Sequence, residues 1–220
     1  TYGAGIALAK IAERFVEERQ IRPHTLNILG ATPLDFGPQE NVDAMKQKIA
    51  QYGWEVLSTW AMGDSLETLS LAGAAEVNLV VSSVGIPAAK VLEEKFGTPY
   101  IIGTPIGEFA EELVQELRES EEITLIGEAV TMRSLASEME KKYHRAVRVI
   151  CPLETHEGLL GENDRVSRGE EEMEELLKDS RIIVADPLYR PICPKSSQFY
   201  ELPHVAFSGR IFLKKYKKIY

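Results

Sequence analysis

The chain has 220 residues, enough to bury a real core in one domain or two, and it carries 25 Lys and Arg against 34 Asp and Glu. A net charge of −9 argues against nucleic acid as a general partner, because nucleic acid is held through neutralised phosphates. No apolar run approaches the roughly 20 residues of a membrane helix, and two cysteines, Cys151 and Cys193, make no disulfide framework, so a cytosolic (cytoplasmic), reducing setting is expected.

Ile6, Ala9, Phe15 and Val16, with charges between them, predict a first helix lying on a sheet and ending at Pro23 and His24. The charges spread through Thr1 to Gln20 argue against a signal peptide there. Leu26 to Gly30 reads as the first strand, and Ala31 to Pro38 as a loop with Pro33, Asp35 and Gly37. Val42, Met45 and Ile49 recur at helical spacing, with Gly53 as the stop, before a strand from Trp54 to Thr59. Asp64-Ser-Leu-Glu67 reads as a capping box with Asp as the acceptor, opening a helix that runs to Ala75. Val77 to Val81 is a β-branched apolar run, predicting a strand buried on both faces. Ser82 to Gly85 is a small-residue turn, and Pro87 suits the first turn of a helix that buries Ala88, Val91, Leu92 and Phe96 and closes at Gly97. Thr98-Pro99 precedes a further buried strand, Tyr100 to Gly103, and Phe109, Leu113 and Leu117 mark an outer helix.

The pattern then restarts. Ile123-Thr-Leu-Ile-Gly127 resembles Leu26-Asn-Ile-Leu-Gly30; Met132, Leu135 and Met139 form a helical stripe, and Val147 to Cys151 a strand. Ser167-Arg-Gly-Glu170 reads as a capping box before Met173, Leu176 and Leu177, with strands at Arg181 to Ala185 and Pro203 to Phe207. The segment from Pro152 to Arg168 is longer than an ordinary connection and is therefore functional or mobile. The fold class expected is α/β: two tandem Rossmann-like lobes, residues 1–120 and 121–220, each with a mostly parallel sheet flanked by helices. The polar run Glu116 to Glu122 joins them.

Ligands of such sheets gather beyond the C-terminal strand ends. In the first lobe those ends bring Thr32, Asp35, Gly63, Ser82, Ser83 and Gly85, whose backbone N–H groups suit an anion, although tight turns alone would use the same residues. Neither G-x-G-x-x-G nor a Walker A run follows a first strand, which leaves nucleotide binding with little support. In the second lobe, Asp186, Tyr189, Arg190, Cys193, His204, Ser208 and Arg210 are expected at one sheet edge. Arg190 and Arg210 favour a carboxylate- or phosphate-bearing ligand. A shared cleft is expected, with Arg190, His204 and Arg210 on one side and Asp35 and Ser83 opposite. Cys193 and His204 are the metal-ligand candidates, while Cys151 reads as a small core residue. The tail Arg210 to Lys218 reads as a basic terminal helix packed on the core, and the run Glu170 to Glu175 as a solvated helix face.

Asn27-Ile-Leu-Gly30, Asn78-Leu-Val-Val-Ser82, Leu92-Glu-Glu-Lys-Phe-Gly-Thr-Pro99 and Gly103-Thr-Pro-Ile-Gly107, in this order and spacing, resemble the nitrogenase component 1 type oxidoreductases. That family includes nitrogenase α and β chains, their cofactor-scaffold relatives and the dark-operative protochlorophyllide reductase subunits. In catalytic α chains the loop after the Asn-Leu-Val strand carries a cysteine that anchors the metal cluster; Ser82 stands there in this sequence. A protonated hydroxyl is a poor soft-metal ligand, so the substitution argues against a dinitrogen-reducing subunit. A family histidine that helps hold the cofactor lies before a Ser-Gly turn, and His204 matches it with a spacing to Ser208 that is off by one.

The resemblance implies an oxidoreductase module that forms part of a cleft for an iron–sulfur or related metal cluster, or for a tetrapyrrole-like ligand. It also implies a homo- or hetero-oligomer with a related subunit, and electrons delivered by an ATP-dependent iron–sulfur reductase. Full family members have an N-terminal domain whose cysteines bridge a cluster between subunits; Thr1 to His24 supply none, so either the chain is part of a longer protein or a partner supplies that site. The alternatives are a non-catalytic scaffold or carrier for metallocofactor assembly and a binding module for small anions.

Overall fold

The computed structural model describes residues 1–209, 211 and 212. The expected tail helix therefore lies outside the described residues, apart from Ile211 and Phe212, and Arg210 lies outside them too. The chain forms two compact units, Thr1–Pro105 and a second that begins at Ile106. The outer helix over residues 108–116 thus belongs with the second unit, whereas the polar run after it suggests a boundary near 120.

In the first lobe, α1 (Tyr2–Phe15) leads to β1 (Arg22–Leu29), a short α2 (Pro33–Phe36), α3 (Gln39–Gln51), β2 (Glu55–Thr59), α4 (Leu66–Ser70), β3 (Ala75–Val80), α5 (Ile86–Phe96) and β4 (Tyr100–Ile102). All four strands are parallel, in the order β2-β1-β3-β4. The order reverses direction between β1 and β3, so the topological switch of this lobe lies at Gly30 and Ser82.

Helix α1 corrects one expectation. Its buried face is Gly5, Leu8 and Ala12, while Ile6 and Phe15 are exposed. The reason is close packing on α5: a Cβ added at Gly5 would stand 3.1 Å from Pro87 Cγ, so the helix approaches α5 through Gly5. Pro23 and His24 do not end the helix but belong to β1, whose register against β3 shifts between Arg22 and Leu26, with His24 at φ 56°. The cap of α4 is Ser65 rather than Asp64: Ser65 Oγ accepts from the Thr68 N–H, and the Asp64 carboxylate accepts instead from the Thr59 N–H. Strand β4 is not buried, because it is the sheet edge; Ile101 and Ile102 are 56% and 46% exposed.

A polar row crosses the middle of this sheet. Register places Ser58 and Asn78 opposite Asn27. Trp60 Nε1 donates to Ser58 Oγ (2.9 Å), Ser58 Oγ donates to Asn27 Oδ1 (2.7 Å), and Asn27 Nδ2 donates to Asn78 Oδ1 (2.7 Å) and the Ala72 carbonyl (2.9 Å). All four side chains are buried. A register slip by one residue would leave these amides unpaired in the core, which makes the pairing specific.

The second lobe contains α6 (Glu108–Glu116), β5 (Ile123–Ile126), α7 (Ala129–Tyr143), β6 (Val147–Cys151), β7 (Arg165–Val166), α8 (Glu170–Leu177), β8 (Ile182–Ala185), β9 (Gln198–Glu201) and α9 (Val205–Ser208). Its strands are parallel in the order β7-β6-β5-β8-β9. Ile126, Ile150, Met173, Leu177, Ile183 and Ala185 form a core cluster between α8 and the sheet.

Two predicted boundaries move here. The last strand is Gln198–Glu201, an edge strand; the stretch Pro203 to Phe207, read as a strand, holds instead the His204-capped turn of α9. Helix α8 starts after Gly169 without the expected Ser167 cap, because Ser167 Oγ donates to the Gly169 carbonyl; Glu172 reaches back to the Arg168 N–H at 2.7 Å.

Candidate functional site

At the first lobe's switch point the strand ends are packed against each other. Gly30 has φ 90°, and a Cβ there would stand 2.6 Å from Gly85 N and 2.7 Å from Ser82 Oγ. A Cβ at Gly85 would meet the Leu29 carbonyl oxygen at 2.5 Å. Glycine is required at both positions, since the start of α5 sits directly on the end of β1. Ser82 and Ser83 are buried, and Ser82 Oγ donates to the Gly30 carbonyl at 2.6 Å. Thr32 caps α2, accepting from the Asp35 N–H at 3.3 Å while its hydroxyl donates to the Asp35 carboxylate at 2.6 Å. These groups are engaged in holding the loop, and that geometry fits a packed turn.

The second lobe's switch point lies between β5 and β8. Glu128, buried, caps α7 by accepting from the Thr131 N–H at 3.0 Å. Asp186, fully buried at the end of β8, accepts from the Leu188 N–H (2.8 Å), the His204 N–H (2.7 Å) and Ser208 Oγ (2.7 Å). One carboxylate therefore ties the turn after β8 to the α9 turn, and brings together three of the residues singled out in the sequence. His204 Nδ1 accepts from the Ala206 N–H at 3.2 Å, and its ring lies 4.6 Å from that of Phe207.

Tyr189 packs edge-on against Phe207 at 5.5 Å, and burial, reinforced by the Asp186 carboxylate, pushes its phenol up to about 12. Arg190 pairs with Glu201 at 3.3 Å and lies over the Phe199 ring at 4.7 Å, with 57% of its side chain exposed. It is thus engaged on the sheet-edge side of the turn. Cys193 donates its Sγ proton to the Tyr189 carbonyl at 3.1 Å, and burial pushes its thiol up to about 11 against the opposing pull of Arg190.

The Ser82 hydroxyl, a poor soft-metal ligand, donates to the Gly30 carbonyl and offers no thiolate at this switch point. Among the described residues, no group of three or more His, Cys, Asp or Glu side chains is placed to hold a metal ion. No helix among them is long and apolar enough to cross a membrane.

The second lobe has a pocket of about 530 Å³ beyond its C-terminal strand ends, between the segments that follow β6 and β7 and the turn after β8. Its lining includes Arg168, Glu170, Met173, Leu188, Tyr189 and Ile192. Of these, only Tyr189 was a candidate site residue in the sequence. The available signal was the overlong Pro152 to Arg168 segment, which delivers Arg168 to the pocket.

The likeness of this chain to known proteins is consistent across sequence and fold. The family model described as nitrogenase component 1 type oxidoreductase matches residues 1–151. A light-independent protochlorophyllide reductase subunit of Nostoc punctiforme is 34% identical over 103 residues, covering 46% of this chain and 20% of that protein. The corresponding protein of Gloeothece citriformis is 37% identical over 84 residues, covering 38% and 16%. The chain thus spans about a fifth of the length of these curated relatives. A solved structure titled nitrogenase Cp1 at pH 6.5 superposes with a TM-score of 0.58 at 14% identity, over 97% of this chain and 63% of that one, a likeness of fold.

Proposed function

This chain belongs to the nitrogenase component 1 type oxidoreductases, and from that premise we propose that it is the part of such an enzyme that holds a tetrapyrrole-like substrate during reduction. Electrons would arrive through an ATP-dependent iron–sulfur reductase, and the chain would work in an oligomer with a related subunit. The observation that carries this reading is the identity to light-independent protochlorophyllide reductase, an enzyme whose name states a tetrapyrrole substrate. A hydroxyl at Ser82, already donated to the Gly30 carbonyl, supports an organic ligand over a bound cluster. The chain's own residues then bind and orient: Asp186 fixes the turn carrying Tyr189, and the Tyr189 phenol stays protonated, a hydrogen-bond donor toward a ligand's oxygen or nitrogen atoms.

The test is an anaerobic absorption titration with protochlorophyllide, followed by addition of the reductase, MgATP and dithionite. Saturable movement of the pigment's main band, then its ATP-dependent bleaching, is expected. A protein that leaves the spectrum unmoved but takes up stoichiometric iron and sulfide would contradict the proposal and favour a metallocofactor carrier.

A further inference from the structure

The pocket of the second lobe has a definite chemical character. Its floor is Met173 on α8, which is almost fully buried, and its far wall is Leu188, Tyr189 and Ile192. Asp186 braces that wall through the Leu188 N–H. At about 530 Å³ it falls in the range of small-molecule sites, roughly 300–1,000 Å³. Arg168 stands on its rim. The Arg168 N–H donates to Glu172, but its guanidinium makes no hydrogen bond or ion pair among the described residues. Arg133, Arg148 and Arg190 of the same lobe are all engaged, with Glu140 and Asp164, with Leu176 and Ser180, and with Glu201.

We propose that this pocket binds a small molecule with an apolar, ring-sized body and one anionic head group. The body rests on Met173, Leu188 and Ile192, and the head group pairs with Arg168. A planar guanidinium offers paired N–H donors that match the oxygens of a carboxylate, sulfonate or phosphate. Glu170 shares the rim and forms no ion pair with Arg168. It therefore opposes the head group, which gives the proposal a signed electrostatic consequence. Tyr189 belongs to this wall, so the inference rests on the ligand-binding part of the proposed function; probe binding needs neither metal nor reductase, so its failure is distinguishable from a failure of the redox reading.

The probe is anilinonaphthalene sulfonate, followed by its fluorescence, with phenylnaphthylamine as the analogue lacking the anionic group. One saturable site is expected in the parent protein. Arg168→Gln should weaken sulfonate binding about tenfold, the size of one lost charged hydrogen bond, and leave the uncharged analogue unchanged. Glu170→Gln should tighten the sulfonate, Leu188→Asp should remove its binding, and Arg190→Gln should do nothing. Circular dichroism confirms that each variant is folded; Leu188 is exposed, so its replacement leaves the core intact. Equal binding of both probes to the parent, no effect of Arg168→Gln, or an equal loss with Arg190→Gln would overturn the proposal.

Discussion

The two lobes are built to one plan and use its most valuable position differently. Each has a parallel sheet whose strand order reverses beside its first strand, and each therefore has a switch point where a ligand could lie. In the first lobe that point is closed by its own backbone: Gly30 and Gly85 are in contact, and Ser82 is bonded across them. In the second lobe the turn after β8 is held by Asp186, and a pocket lies between that turn and the start of α8. Small residues at a strand end thus serve packing in one lobe, and a longer, braced turn leaves space in the other.

A large effect that would sharpen this contrast is expected at Gly85. Gly85→Ala forces a Cβ onto the Leu29 carbonyl and should destabilise the first lobe by about 3 kcal/mol, the upper range of overpacking. Both tryptophans, Trp54 and Trp60, lie in that lobe, so the loss should appear in tryptophan-detected denaturation. A shift below about 1 kcal/mol would mean that the strand ends are not in contact, since ordinary surface changes stay within about 0.5 kcal/mol.

The mirror experiment is Asp186→Ala. It leaves the Leu188 and His204 N–H groups and Ser208 Oγ without their acceptor, at about 1–3 kcal/mol for each group that stays buried. The loss should appear in far-ultraviolet circular dichroism with the tryptophan transition unchanged, and the pocket probe should be lost with the wall. An unchanged probe affinity would show that Asp186 does not brace the pocket.

Cys193 gives a smaller, pH-dependent effect. Its raised thiol should alkylate roughly 10–100-fold more slowly near neutral pH than an ordinary exposed cysteine, with the rate climbing until about pH 11. The sign for stability follows: the folded state favours the protonated thiol, so this contribution is full below the ordinary thiol pKa and is lost as pH rises toward about 11. Rapid labelling at neutral pH would instead place the thiol in a thiolate-stabilising site. The smallest effect is expected for Arg190→Gln. An exposed pair with Glu201 and a ring contact together contribute no more than about 1 kcal/mol.

Much of this architecture was legible in the sequence. The largely apolar runs ending at Leu29, Val80, Cys151 and Ala185 identified central strands, because strands covered on both faces are rich in apolar residues. Edge strands carry no such signal. Gln198–Glu201 is short, with polar residues at both ends, and was missed, while Pro203 to Phe207 looked strand-like and is a helical turn, since the His204 ring caps it and Asp186 anchors it from 18 residues away. Adjacent acceptors misled in the same way: Asp64 and Ser65 are both competent caps, and only the tertiary bond from Thr59 decides between them. Of the strand-end residues, Asp186, His204 and Ser208 were correctly grouped by position. What the pattern could not reveal is that the Ser82 hydroxyl would turn inward to Gly30, or that the Arg168 guanidinium would stand on a pocket rim with no partner among the described residues.

The contrast between the lobes is tested most directly by mapping amide chemical-shift changes during titration with anilinonaphthalene sulfonate. The account predicts perturbations confined to residues 167–173 and 188–192, saturating together, with Gly30, Ser82, Ser83 and Gly85 unmoved. Perturbation of those first-lobe residues, with Arg168, Met173 and Leu188 silent, would contradict it.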